Sequence, residues 1–284
     1  MNRREFLKRA FWIATGVGIP WGGYCSWLQT RRWVMRHYTL FLPDLPLAWE
    51  GSRVVFIADF HHSWYFEVEK IQEAVEAIHG LDPDIILLGG DYVHYGYKVR
   101  HYLDSVFEVL KALRAREGVF GVLGNHDAHE NLSYARERMI RAGITDLSNA
   151  FTRLIRKGET LRLAGLSDVN TEVPRSDRAE LNQPTKECTL LVTHNPDVFE
   201  HLREYVHYSF AFAGHTHGGQ VYIPGFGAPI ISSAFGQKYR YGFIRTYTGT
   251  VYVTSGYGSA FPPVRFFCPP EICLFILKKE GNAS

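Results

Sequence analysis

Cysteine is scarce in this chain and unpatterned where it occurs. Four cysteines, Cys25, Cys188, Cys268 and Cys273, stand among 284 residues. Their spacing fits neither a zinc ribbon nor a C-x-x-C redox pair, so thiolate chemistry is not what organises the molecule. They read as free thiols, and one disulfide stays open if the domain is exported. An excess of one charge is also missing. The net charge is +2 with no long basic block, so nucleic acid is not an expected partner. No internal repeat and no low-complexity tract occurs. What remains, at 46% hydrophobic residues, is enough to bury one large core in a single domain.

The first residues stand apart. Asn2-Arg3-Arg4-Glu5-Phe6-Leu7-Lys8 matches a twin-arginine export signal, an address read by the export machinery. Ala10 to Thr30 carry no charge, a length that can reach across a bilayer. Pro20 and the glycines Gly16, Gly18, Gly22 and Gly23 weaken it as a regular helix. No A-x-A cleavage site follows, and Tyr24 before Cys25 argues against lipidation. Residues 1–33 are therefore read as a signal or uncleaved anchor, and 34–284 as the folded domain. Arg31, Arg32 and Arg36 read either as contacts to anionic headgroups or as plainly solvated residues. Membrane association with the domain on the outer face of the inner membrane is the expectation. A cytoplasmic-face orientation is the alternative.

The remainder alternates apolar runs with helical periodicity. Strands are expected at 34–42, 53–58, 84–88 and 118–123, with helices at 67–79, 102–114 and 130–142 between and after them. This is a β-α-β-α-β-α order, the mark of a sheet with crossover helices. The second half reads as a hairpin (150–156 and 160–165) and a polar loop (168–187). Strand 189–193, helix 196–205 and strand 208–213 follow, then short strands at 220–224, 243–247, 251–254 and 272–278. Two mixed sheets packed face to face with helices outside, an α/β sandwich in four layers, use all these elements.

Five of the apolar runs end in side chains that bind metal. They lead into Asp59-Phe60-His61, Gly90-Asp91, Gly124-Asn125-His126-Asp127, His194-Asn195 and Gly214-His215-Thr216-His217. A short continuous apolar run is how a strand buried on both faces reads. Layered α/β folds place ligand chemistry at the carboxyl ends of such strands. Asp59, His61, Asp91, Asn125, His194, His215 and His217 are the candidate ligands. Carboxylates, imidazoles and one amide oxygen suit borderline divalent ions, manganese first, with iron or zinc as alternatives. Two such ions and two carboxylates leave a positive excess that favours hydroxide and an anionic phosphate ester. Paired metals lower the pKa of water and clamp an in-line displacement at phosphorus, so no serine or cysteine nucleophile is required.

The ordered set D-x-H, G-D, G-N-H-D, H and G-H-T-H, over roughly residues 50 to 220, resembles the calcineurin-like metallophosphoesterase superfamily. Gly214-His215-Thr216-His217-Gly218-Gly219-Gln220, His194-Asn195-Pro196-Asp197 and Cys268-Pro269-Pro270-Glu271-Ile272 resemble its membrane-associated YaeI/YkuE-type branch and extend the likeness over nearly the whole chain. The resemblance implies an αββα fold and a division of labour. Asp59, His61 and His217 would complete one metal site and Asn125, His194 and His215 the other, with Asp91 bridging. His126 would be the catalytic group, protonating the leaving oxygen or stabilising phosphoryl charge. Asp127 would orient a neighbour.

Asp91-Tyr92-Val93-His94-Tyr95 departs from the pattern, lacking the Asp and Arg that many members carry after G-D. His62 reads as a bystander, and the aromatics at 64–66 and 92–97 as either an apolar rim or cover for the sheet edge. The implied function is hydrolysis of a phosphodiester or diphosphate bond in a small-molecule or lipid-linked substrate. Relatives of this branch cleave UDP-2,3-diacylglucosamine, a lipid A precursor. An exported esterase of envelope or nutrient phosphoesters is the alternative. A non-catalytic binding scaffold is a third class, and retention of all seven ligands and His126 argues against it.

Overall fold

A computed structural model describes residues 32–183 and 186–281, together with Glu5, Gly23, Gln29 and Thr30. The segment read as signal or anchor lies almost wholly outside the described residues. Among the described residues no helix is long and apolar enough to cross a membrane.

Two six-stranded mixed sheets form the body. The first runs β1-β12-β2-β3-β4-β5, where β1 is Val34–Leu42, β2 Arg53–Ile57, β3 Ile85–Leu88, β4 Gly118–Gly121, β5 Thr145–Asp146 and β12 Glu271–Lys279. The second runs β10-β11-β9-β8-β7-β6, where β6 is Ala150–Arg156, β7 Glu159–Leu166, β8 Thr189–Thr193, β9 Phe210–Ala213, β10 Gly242–Arg245 and β11 Thr250–Val253. Neighbours from β2 to β5 are parallel, as are β7, β8, β9 and β11. The carboxyl ends of each parallel set therefore open on one edge.

The burial pattern explains the layering. Along β2, Val54 and Phe56 face the other sheet, while Val55 and Ile57 face the helices. Helices α1 (Val68–His79), α2 (Val99–Leu110) and α3 (Asn125–Arg141) cover that outer face. In α1 the buried residues Ile71, Ala74, Val75 and Ile78 repeat at three and four, one stripe of an amphipathic helix. Between the sheets Phe56, Phe210, Phe212 and Phe275 meet with ring centroids 5.0 to 6.2 Å apart, within the range of favourable aromatic pairs.

Three local expectations are corrected. The helix expected at 196–205 is a 3-10 turn, Pro196–Glu200, capped by Asn195 Oδ1 accepting from Asp197 N. Its Val198 and Phe199 bury against the outer face of the second sheet, and one turn suffices to do so. The strand expected at 220–224 contributes only isolated bridges, Val221 to Phe266 and Ile223 to Gly227. The helix expected from residue 130 starts at Asn125, shortly after β4, and bends at Asn131. Cys188, Cys268 and Cys273 are free and buried.

Phe212→Ala empties the centre of the sandwich, where Phe212 is fully buried. Urea unfolding should show a loss of about 3–5 kcal/mol. A loss under about 1 kcal/mol would mean that the inter-sheet aromatic layer does not hold the sheets together.

Candidate metal centre

All seven candidate ligands sit just beyond the carboxyl ends of parallel strands. Asp59 and His61 follow β2, Asp91 follows β3, and Asn125 opens α3 after β4. His194 follows β8, and His215 and His217 follow β9. The backbone turns sharply there. Asp59, His61, Asp91, His215 and His217 all have positive φ, between 49° and 71°. That left-handed conformation is unfavourable for residues with a Cβ, and its accumulation at one spot is typical of functional sites. Close packing holds it. A Cβ added at Gly90 would come 2.6 Å from Gly124 N, and one at Gly124 would strike Asp91 Oδ1.

The side chains converge in two triads, buried except for the partly exposed His215. The ligand atoms of Asp59, His61 and His217 lie within 4.8 Å of one another, as do those of Asp91, His194 and His215. His61 Nε2 is 2.8 Å from His217 Nε2. His194 Nε2 is 3.1 Å from His215 Nδ1 and 3.2 Å from Asn125 Oδ1. Asp91 stands between the groups, with Oδ2 3.4 Å from His61 Nε2 and 3.2 Å from His194 Nε2. Its Oδ1 accepts from His126 N at 2.9 Å, at the amino end of α3, where the helix dipole favours an anion.

The donor set fits divalent cations on three counts. Asp91 Oδ2 is buried without a hydrogen-bond partner, although two imidazole nitrogens flank it. A carboxylate oxygen stranded in this way costs several kcal/mol unless a cation meets it. Two ligands each about 2.1 Å from one ion stand roughly 3.0–3.4 Å apart, close to the spacings observed here. The protonation pattern agrees as well. Burial holds His61 and His217 well below the usual histidine range and His215 down to about 3, so these imidazoles are neutral. Burial would also depress His194, but Asp91 and Asp59 outweigh it and push His194 well above that range. Its Nδ1 donates to Gly89 O at 2.8 Å, so Nε2 carries the proton that a cation would replace.

His126 lies beside the triads, its Nε2 3.9 Å from Asp91 Oδ2. Asp127 accepts from Tyr92 N, Val93 N and Gly124 N and so ties the loop after β3 to the start of α3. His94 stacks on Tyr95 and lies near His61, with a distance of 3.4 Å between the two Nδ1 atoms. His62 is structural, bonded to Phe66 O and Ser105 Oγ. Tyr92 is buried, whereas Trp64 and Tyr97 are exposed.

Sequence reasoning missed two contributors. The segment after β11 closes the site, with Tyr257 N donating to Ala58 O and Gly258 N to Asp59 O. Arg265, fully buried, donates to Ser255 O and Cys268 O and comes within 3.3 Å of His217 Nδ1. An arginine in a loop carries no motif; the Gly256-Tyr257-Gly258 run directly after a strand was the available signal. Asp168, after β7, is the second. It is buried, Oδ1 accepts from Asn170 N, and Oδ2 has no hydrogen-bond partner.

Residues 52–219 match the calcineurin-like phosphoesterase family, and the chain belongs to that family, whose members hydrolyse phosphoesters with divalent metal ions. It is 30% identical to the metallophosphoesterase YkuE of Bacillus subtilis over 99% of both chains. It is also 30% identical to the phosphodiesterase YaeI of Escherichia coli, over 98% of this chain and 99% of that one. A metallophosphoesterase of Aquifex aeolicus is 26% identical over 94% and 99% of the two chains.

Burial pushes Asp168 up to about 6, partly offset by His194. A carboxyl group raised in the folded state stabilises the fold below its unfolded value, and that stability is lost as pH rises through the folded value. In chelated protein, Asp168→Asn should gain on the wild type between pH 4 and 7, by up to about 3 kcal/mol. A difference in unfolding free energy that stays flat over this window would show that Asp168 is not held protonated.

Proposed function

We propose that the chain hydrolyses phosphodiester or diphosphate bonds at a dinuclear metal centre, with Asp91 shared by two divalent ions. The observation that carries this reading is the buried Asp91 Oδ2, without a hydrogen-bond partner, with His61 Nε2 on one side and His194 Nε2 on the other. Asp59, His61 and His217 would hold one ion, and Asn125, His194 and His215 the other. Oxygen and imidazole donors without thiolate favour manganese, with iron or zinc as the alternatives. When bound, two such cations draw the phosphoryl oxygens and bring the pKa of water towards neutrality.

The chain's own groups do the rest. Tyr95 N donates to His126 Nδ1 at 3.3 Å, which leaves the proton of the neutral imidazole on Nε2. Burial keeps His126 below the usual range, with Asp91 opposing, so the ring is neutral near pH 7. Nε2 lies 3.9 Å from Asp91 Oδ2, where its N–H would hydrogen-bond to the departing oxygen and stabilise the charge that develops on the phosphoryl group. Tyr95 N thereby fixes the tautomer opposite to the one a carboxylate at Nδ1 would fix, because it donates to Nδ1 where a carboxylate would accept from it.

A lipid-linked substrate at a membrane face, such as UDP-2,3-diacylglucosamine, is the finer reading. It is supported by Trp64, Tyr95 and Tyr97, exposed on the loops after the first two ligand pairs. The twin-arginine-like Arg3-Arg4 supports the alternative, an esterase of envelope or nutrient phosphoesters on the outer face. A reporter fused to the carboxyl terminus separates the two sides of the membrane. The export reading expects periplasmic phosphatase fusions to be active, and activity confined to cytoplasmic fusions removes it.

Asp91→Ala should lose both ions, read as metal content after desalting of manganese-loaded protein. His126→Ala should keep both and lose about 100-fold or more in kcat on bis(4-nitrophenyl) phosphate. Normal kcat in His126→Ala would remove this role from His126, and full metal content in Asp91→Ala would dissolve the shared-ligand arrangement.

A further inference from the structure

A cavity of about 390 Å³ opens beside His217, between the turn 216–221, the loop 229–232 and the segment 260–264. Its volume lies within the range of small-molecule sites, and its position puts one wall on a candidate metal ligand. Its walls are apolar: Val221, Pro229, Ile230, Phe261, Pro262 and Val264. The main polar side chains of the lining are turned to the protein. Gln220 Nε2 donates to Ala260 O and Pro262 O, and its Oε1 accepts from Ala260 N at 2.7 Å. Thr216 Oγ1 donates to Arg240 O at 2.9 Å. Ser232 also lines the cavity.

A nucleobase or sugar seated here would leave most of its donors and acceptors unmet, which sites reject strongly. A hydrocarbon chain meets no such penalty. The apolar character continues outward, since the lining residues Ile230 and Phe261 are 80% and 62% exposed. Large apolar side chains exposed together at a cavity mouth mark a binding surface.

We propose that this cavity is the subsite for a hydrocarbon chain carried by the substrate, so that the enzyme takes amphiphilic phosphoesters with the ester at the metals and the chain along Val221, Ile230 and Val264. The proposal rests on the hydrolase reading above for the placement of the phosphoryl group, and it adds where the apolar part lies.

The test compares methyl and octyl 4-nitrophenyl phosphate, below micellar concentrations, on the manganese-loaded full chain. Binding of methylphosphonate and octylphosphonate is measured by calorimetry alongside. The expected kcat/KM ratio of octyl to methyl is at least about tenfold, since each methylene buried is worth up to about fourfold. The phosphonate affinities should split in the same direction. Ile230→Asp and Phe261→Ala, checked for unaltered unfolding and metal content, should each cut both ratios severalfold. Equal values for the two chain lengths in wild-type turnover and binding would overturn the subsite while leaving the hydrolase reading intact. Ratios unchanged in both variants would place the chain elsewhere and overturn it too. Absence of turnover of either ester with metals bound would break the hydrolase reading instead, and the phosphonate ratio would still decide the cavity.

Discussion

One carboxylate sets the terms for the rest of the structure. Asp91 has one oxygen on the amino end of α3 and the other buried among imidazoles, 3.2 Å from His194 Nε2 but without a well-formed hydrogen bond. A charge in that position needs a counter-charge of comparable burial. In the chelated chain the proton on His194 provides it. Divalent ions would provide it better, and the unfavourable backbone angles of five neighbouring residues are then understandable as the cost of aiming ligands at one spot.

The two sheets exist, from the site's point of view, to bring separate strand ends to the same edge. β2, β3 and β4 deliver Asp59, His61, Asp91 and Asn125, while β8 and β9 deliver His194, His215 and His217. Each triad mixes residues from both sheets, so neither sheet alone holds a site. Rigid aromatic packing between the sheets, centred on Phe212 and Phe275, thus bears directly on ligand spacing. Outside the candidate metal sites the loops diverge in character. Those after β2 and β3 carry exposed aromatics, and those near His217 enclose an apolar cavity.

Much of this was legible in the sequence, for identifiable reasons. Strands buried on both faces read as unbroken apolar runs, so β2, β3, β4, β8 and β9 stood out, and their ends pointed to the candidate ligands that the structure brings together. Helix periodicity located α1 and α2 to within a few residues. The failures occurred where one pattern serves two structures. Val198, Phe199 and Leu202 have helical spacing, yet a capped 3-10 turn buries the first two. Residues 220–224 alternate like a strand but lie in turns braced by Gln220. Arg265 and Asp168 could not be found, because their roles depend on burial created by segments distant in sequence.

The central claim is that two cations share Asp91. Anomalous-scattering diffraction from manganese-loaded crystals tests it most directly. The account predicts two anomalous peaks flanking Asp91 Oδ2, one contacted by Asp59, His61 and His217 and the other by Asn125, His194 and His215. A single peak, or peaks away from Asp91, would contradict it.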